Sequence, residues 1–518
     1  MLFNSYTFIF FYLPVTLCIF FLLGRYDRNR LAMVWLVLAS LFFYGWWEPV
    51  YLWLLTGSIT INYTLGRALS KHTVFLSSGI SIRKGLLSFG IIINLGLLGY
   101  FKYANFFIEN YNNITGSIFE IVPVILPLAI SFFTFQQIAY LVDAYRGLTQ
   151  EHNFINYCLF ISFFPQLIAG PIVHHKEVMS QFEKKGVGRY NPLNLSIGLS
   201  IFCIGLFKKV ALADHAAAYA SPVFNAAENG ANLTFFEAWS GVLAYSFEIY
   251  FDFSGYSDMA IGLGWMFGIH LPLNFNSPYK AHNIIEFWQR WHMTLSRFLR
   301  DYLYIPLGGN RKGKTRRYLN LIITMLLGGL WHGAAWNFVI WGALHGIYLC
   351  INQGWHTIRR HLGIGINEKK WWGASLATLL TFVAVTIAWV FFRAKSFDGA
   401  LGIVNALIGN NGIKLPGSYQ NKLGFLDHFG IQFGHVHLFA GLEGSILLAA
   451  LLFIVWFAPN TQQIILHNEN FESNHDPKSI WTWSHWQPTL RYAAITALLA
   501  SFSLKFMVSP RAFVYFQF

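Results

Sequence analysis

Charge is what this sequence has least of. Asp, Glu, Lys and Arg together make 11% of its 518 residues, where a soluble domain carries about 25%. With 55% hydrophobic residues and a mean hydropathy of +0.45, that shortage excludes an ordinary soluble enzyme and points to lipid as the solvent. Cysteine is scarce too. Cys18, Cys158, Cys203 and Cys350 lie far apart in apolar segments with no CxxC or metal-ligand spacing, so neither a disulfide scaffold nor a cysteine-held metal is expected, and the thiols read as reduced. No HExxH, GxSxG, P-loop or GxGxxG pattern occurs, which leaves metal catalysis and nucleotide hydrolysis without support. No repeat period is visible either, so an inverted-repeat transporter has no signal.

Acidic residues are the scarcer sign, 23 against 36 basic, for a net charge of +13. The basic residues sit in short loops between apolar runs, so the positive-inside rule accounts for the excess without nucleic acid. The N-terminus carries no charge before Arg25. It therefore lacks the basic n-region of a signal peptide, and it lacks a small-residue cleavage site. Arg25, Arg28 and Arg30 follow the first apolar run and orient that helix with its N-terminus outside and these arginines in the cytoplasm.

What the sequence has is apolar runs, from 5–24 to 490–507, and an aromatic fraction of 18%. Each crossing needs about 20 apolar residues, so these runs predict an all-α polytopic membrane protein with roughly 11 transmembrane helices plus re-entrant or interfacial pieces. The whole chain, 1–518, reads as one integral-membrane domain with its motif region at 245–350. Two late segments, Asn410–Leu442 and Asn460–Pro488, read as surface or interfacial loops. No segment has the look of a separate soluble domain, so chemistry belongs to the membrane part.

Three stretches hold the candidate residues. Tyr318 to Thr357 contains no Asp, Glu, Lys or Arg, yet it carries His332 within GGLWHGAAWNFVIWGALHG. The preceding GGNRKGKTRRY, with Arg311, Lys312, Lys314, Arg316 and Arg317 and no acid, is the strongest cytoplasmic marker. From Arg317, the 15 residues to His332 span about 22 Å of helix in a hydrocarbon core about 30 Å thick. That depth holds if the helix neither tilts nor breaks at Gly328–Gly329. An ionisable residue at such depth is a functional candidate, and an imidazole with an unperturbed pKa near 6.5 suits a general base. Trp331 and Trp336 offer walls. The bland alternative is a histidine bonded across a helix interface, the reading we favour for His345.

The second stretch, IIEFWQRWHMTLSRFLRDYLY (284–304), places Trp288, Trp291, His292, Leu295, Leu299 and Leu303 at helical spacing, with Arg290, Arg297 and Asp301 on the other side. It predicts one amphipathic in-plane helix with His292 on its apolar face. The third, EIYFDFSGYSDMAIGLGWMFG, puts Glu248, Asp252 and Asp258 in apolar surroundings. Glu248 and Asp252 share a helix face, either lining a proton or cation path or, the favoured reading, holding a broken helix near Gly255 by accepting backbone N–H bonds. His282 reads as interfacial, and His174 and His175, beside Lys176, as solvated.

FDFSGYSDMAIGLGWMFGIHLPLNFNSPYKAHNIIEFWQRWHMTLSRFLRDYLYIPLGGNR followed by GGLWHGAAWNFVIWGALHG resembles the membrane-bound O-acyltransferase family. FNSYTFIFFYLPV, LPLAISFFTFQQIAYLVDAYRG, FFPQLIAGPIVHHKEVMSQF and the terminal VYFQF agree. The resemblance implies a multi-helix fold around a central tunnel. It matches His332 to the family's buried histidine and His292 to its second polar position. It implies acyl transfer with acetyl-CoA as donor, no permanently bound cofactor and no metal, in the bacterial cytoplasmic (inner) membrane. The implied acceptor is an exopolysaccharide such as alginate, reached through a periplasmic Ser-His-Asp acetyltransferase partner; peptidoglycan, cellulose or D-alanylated teichoic acid are the alternatives within the class. Neutral His332 would take a proton from an attacking hydroxyl while His292 positions the thioester or shares the proton. Arg311, Lys312 and Lys314 are candidates for holding coenzyme phosphates, although topology alone also places them there. The oxyanion donor is open, with Asn337 a candidate. A transporter using Glu248, Asp252, Asp258 and His332 as a polar path is the competing class; it would move solute without forming an ester.

Overall fold

A computed structural model describes residues 1–71, 79–120, 124–149, 153–184, 186–363, 371–439, 441–465, 485–507 and 511–514. Among these, helices dominate, and the only strands are Lys414–Pro416 and Gln432–Gly434, which pair in parallel. Among the described residues, four helical stretches are long and apolar enough to cross a membrane: Phe8–Arg25, Ile82–Thr115, Pro192–Glu228 and Trp372–Arg393. Other expected crossings fall on shorter apolar helices such as Asn29–Gly45 and Gly441–Phe457, or on helices that carry charge. Phe235–Met266 holds Glu237, Glu248, Asp252 and Asp258, and Lys314–His332 opens with three basic residues. The long run at 319–351 resolves into two helices, Lys314–His332 and Trp336–His361. All four cysteines are free.

Contacts gather the chain into two compact units. Of the described residues, the first comprises those within 1–206, 256–273 and 487–514; the second, those within 207–255 and 274–486.

In the first unit the helices Tyr51–Lys71, Gly79–Leu98 and Ile130–Tyr145 are tied by buried amides. Asn62 Nδ2 donates to Gln137 Oε1 at 2.8 Å, Asn94 Nδ2 to Asn62 Oδ1 at 2.6 Å, and Ser58 Oγ to Gln137 Oε1 at 2.7 Å. Without a hydrophobic drive between helices in lipid, such bonds hold neighbours together. His175 is buried rather than solvated, its Nδ1 lying 3.5 Å from Asp143 Oδ2. The apolar run before it packs the His175–Phe182 helix inward through Val178, Met179 and Phe182. His175 also lines a cleft of about 880 Å³ with Arg30, Lys176 and Glu183.

The second unit contains the motif residues other than 256–273. The Asn410–Leu442 segment is more ordered than a plain loop, because it contains the strand pair. Of Asn460–Pro488, residues 466–484 lie outside the described residues, as do 515–518 of the terminal VYFQF.

Candidate active site

The helix Lys314–His332 runs unbroken through Gly328–Gly329 and ends on His332. A short turn leads to Trp336–His361, which packs back along it. The glycines are there for this packing. A Cβ at Gly329 would collide with the Phe338 carbonyl, and one at Gly342 with the Met325 carbonyl, so only glycine permits this backbone approach. His332 is buried at 4% exposure. Its ring meets Trp341 edge-on at 5.0 Å and Phe392 at 5.2 Å between centroids, with Trp331 at 4.9 Å. Trp336, in contrast, is exposed and forms no wall.

His292 corrects the expectation of a single helix over 284–304. The helix Ile284–Arg290 stops, Trp291 is extended, and His292 takes the left-handed conformation at φ 43°, ψ 52° before a new helix, Met293–Leu299. A non-glycine residue there is uncommon and costs about 1–3 kcal/mol, an investment seen chiefly at functional positions. Asn274 holds the break: its carbonyl accepts from Met293 N at 2.9 Å, and its Oδ1 accepts from Thr294 N at 3.3 Å and Thr294 Oγ1 at 2.8 Å. His292 Nδ1 lies 3.1 Å from the same Oδ1. The imidazole is fully buried, with the Phe253 ring perpendicular at 4.8 Å. Arg290, expected on a charged outer face, is buried and anchored by Glu286 and the Asn276 carbonyl.

The break brings the two candidate histidines together, with ring centroids 6.5 Å apart. That separation is too long for a direct imidazole–imidazole hydrogen bond, but one bridging oxygen can span it. Aromatic rings pack against both imidazoles: Phe253 and Trp331 against His292, and Trp331, Trp341 and Phe392 against His332.

The other candidates go elsewhere. His345 is fully buried; Trp288 Nε1 donates to its Nδ1 at 3.2 Å, the interface bond expected of it. Asn337 Nδ2 donates to the Ala394 carbonyl at 2.8 Å, so that amide is committed to the backbone. His282 Nδ1 pairs with Thr378 Oγ1 at 2.9 Å. Asp252 faces Lys209 Nζ at 2.6 Å, which also reaches Asp214 Oδ1 at 2.8 Å; the lysine and Asp252 side chains are each 1% exposed. Arg311 and Lys312 are exposed on a loop closed by Gly309 and Gly313 and anchored by Asn320 Nδ2 on the Gly309 carbonyl at 3.0 Å, and Lys314 is exposed at the start of the helix that follows. Among the described residues no group of three His, Cys, Asp or Glu is arranged to hold a metal.

Sequence reasoning missed Asn274 and Lys209. Nothing in LPLNFNSPY sets Asn274 apart from Asn276. Lys209 did have a signal, a lysine inside the apolar run 192–213, where an ionisable residue demands a partner.

Residues 85–387 match the model of MBOAT, the membrane-bound O-acyltransferase family. The chain belongs to that family: it is an acyltransferase and an all-α polytopic membrane protein. It is 47% identical over 441 residues to the peptidoglycan O-acetyltransferase of Helicobacter pylori, covering 80% of this chain and 81% of that protein. It is 42% identical over 419 residues to a protein described as a probable alginate O-acetylase AlgI of Pseudomonas aeruginosa, covering 79% and 75%. A teichoic acid D-alanyltransferase of Streptococcus thermophilus is 30% identical over 281 residues, covering 51% and 68%.

Proposed function

We propose that this acyltransferase moves acetyl from cytoplasmic acetyl-CoA across the bacterial cytoplasmic membrane for O-acetylation of an extracytoplasmic glycan. The observation that carries the reading is the pair His332 and His292, both buried and 6.5 Å apart in an aromatic enclosure. The attacking hydroxyl oxygen forms a bond to the thioester carbonyl carbon, and neutral His332 takes the hydroxyl proton. The C–S bond then breaks and the coenzyme thiolate recovers that proton, leaving the histidine neutral. His292 orients the thioester or shares the proton. Exclusion of water protects the thioester from hydrolysis. Arg311, Lys312 and Lys314 meet the coenzyme phosphates at the cytoplasmic mouth, where mobile cations suit an exposed anion. A periplasmic Ser-His-Asp acetyltransferase completes delivery.

Two acceptors have support. Peptidoglycan is favoured by the 47% identity to a peptidoglycan O-acetyltransferase, and alginate by the 42% identity to an alginate O-acetylase. The test is alkali-labile acetate on purified peptidoglycan and on exopolysaccharide, with and without the gene. Loss from one glycan alone names the acceptor. Unchanged acetate on both would overturn the proposal.

A further inference from the structure

We infer that Asn274 is a positioning residue that fixes the tautomer of His292, leaving Nε2 as the nitrogen through which His292 shares the proton that His332 takes. The inference rests on the functional reading above.

The Asn274 amide faces a donor that has no choice. The Thr294 backbone N–H can only donate, and it points at the Asn274 amide at 3.3 Å, so the atom facing it must be the oxygen. The Thr294 hydroxyl at 2.8 Å agrees. This removes the usual ambiguity of an asparagine flip. The same oxygen lies 3.1 Å from His292 Nδ1. An oxygen lone pair cannot donate, so Nδ1 must carry the hydrogen. In a neutral imidazole the other nitrogen, Nε2, then carries the lone pair.

Two further features favour this role over simple packing. Asn274 Nδ2 is buried with no hydrogen-bond partner among the described residues, a cost of about 1–3 kcal/mol that an apolar side chain of similar size would avoid. Its oxygen, by contrast, serves three donors at once. The left-handed backbone of His292, held by the Met293 and Thr294 bonds to Asn274, delivers the ring to that oxygen. One residue thus sets where the imidazole sits and which nitrogen is basic. A neutral amide does this without adding charge. A carboxylate at the same place would also hold Nδ1–H, but it would favour the imidazolium and raise the pH at which Nε2 becomes free.

The test uses the full-length chain in its native membranes, with labelled acetyl-CoA, and counts base-labile acetyl ester as a function of pH and substrate. For N274A we expect kcat to fall about 100-fold, the lower end of what a positioned proton-sharing side chain contributes, with KM for acetyl-CoA changed less than about threefold. N274D keeps the acceptor and the Thr294 bonds, so it should fold and restore most of the rate at alkaline pH, with the acid limb of the profile moved up by about one unit or more. The inference is overturned if N274A keeps the wild-type kcat. It is equally overturned if folded N274D shows the wild-type pH profile, which remains decisive should N274A fail to fold. Wild-type membranes that form no ester would overturn the functional reading itself.

Discussion

Asp252 and Phe253 are neighbours on one helix and lead to two different interiors. Phe253 packs edge-on against His292 in a region of tryptophan, phenylalanine and histidine rings. Asp252 points into a region of full charges, where Lys209 bridges it to Asp214. Both are buried, and both contain ionisable groups of the kind that mark function inside a membrane. They solve desolvation in opposite ways. The charged region compensates charge with charge, so each ion is held by its partner and none is available to a substrate. The aromatic region packs rings around its two imidazoles, and under the proposed function those imidazoles handle the proton. Burial of an ionisable side chain is therefore only half of a functional argument; the partner decides the rest.

The comparison breaks most sharply at His332. H332A is expected to reduce ester acetate by at least about 100-fold, the contribution of a general base, with membrane levels of the protein unchanged. Acetate and protein are measured on the same cells. In the charged region the expected loss is of the fold. K209M leaves Asp252 and Asp214 uncompensated and costs about 3–5 kcal/mol, seen as a lower melting temperature and reduced protein in membranes. The double variant K209M/D252L should recover part of that loss, because apolar replacement of a buried pair is often close to neutral. Between the two lies the helix hairpin that carries His332. G342V drives a side chain into the Met325 carbonyl, with an overpacking cost of about 1–3 kcal/mol and lower activity per folded molecule as His332 is displaced. The smallest effect is expected outside both regions. Joint replacement of Arg311, Lys312 and Lys314 by Ala should raise KM for acetyl-CoA about two- to tenfold in a salt-sensitive way and leave kcat unchanged.

The membrane character was legible because it rests on composition and run length, which need no tertiary information. His332 was legible for a related reason: a histidine deep in a long run without Asp, Glu, Lys or Arg is conspicuous, although His345 and His356 share that run. The site's geometry was less so. The pattern over 284–304 has the spacing of one continuous helix, and nothing local marks the break at His292. That break is imposed from a distance by Asn274, whose role depends on a fold that brings residue 274 against 292–294. Arg290 was misplaced with it, since a face assigned on one straight helix does not survive the interruption. His175 looked solvated from its basic neighbour, but it lies buried with Val178, Met179 and Phe182 on the inward face of its helix. The helix break expected near Gly255, which Asp252 was to hold, is absent, because Phe235–Met266 is continuous; Asp252 instead pairs with Lys209, which was passed over in a run judged by hydropathy alone.

The most direct test of the account measures H332A and K209M side by side, as ester acetate per folded molecule, with folded protein quantified by detergent-extracted, size-homogeneous material. The account predicts that H332A folds and has almost no specific activity, whereas the K209M that does fold retains a substantial share of wild-type specific activity. Full specific activity in H332A, or an inactive K209M folded to wild-type levels, would contradict it and move the chemistry to the charged region.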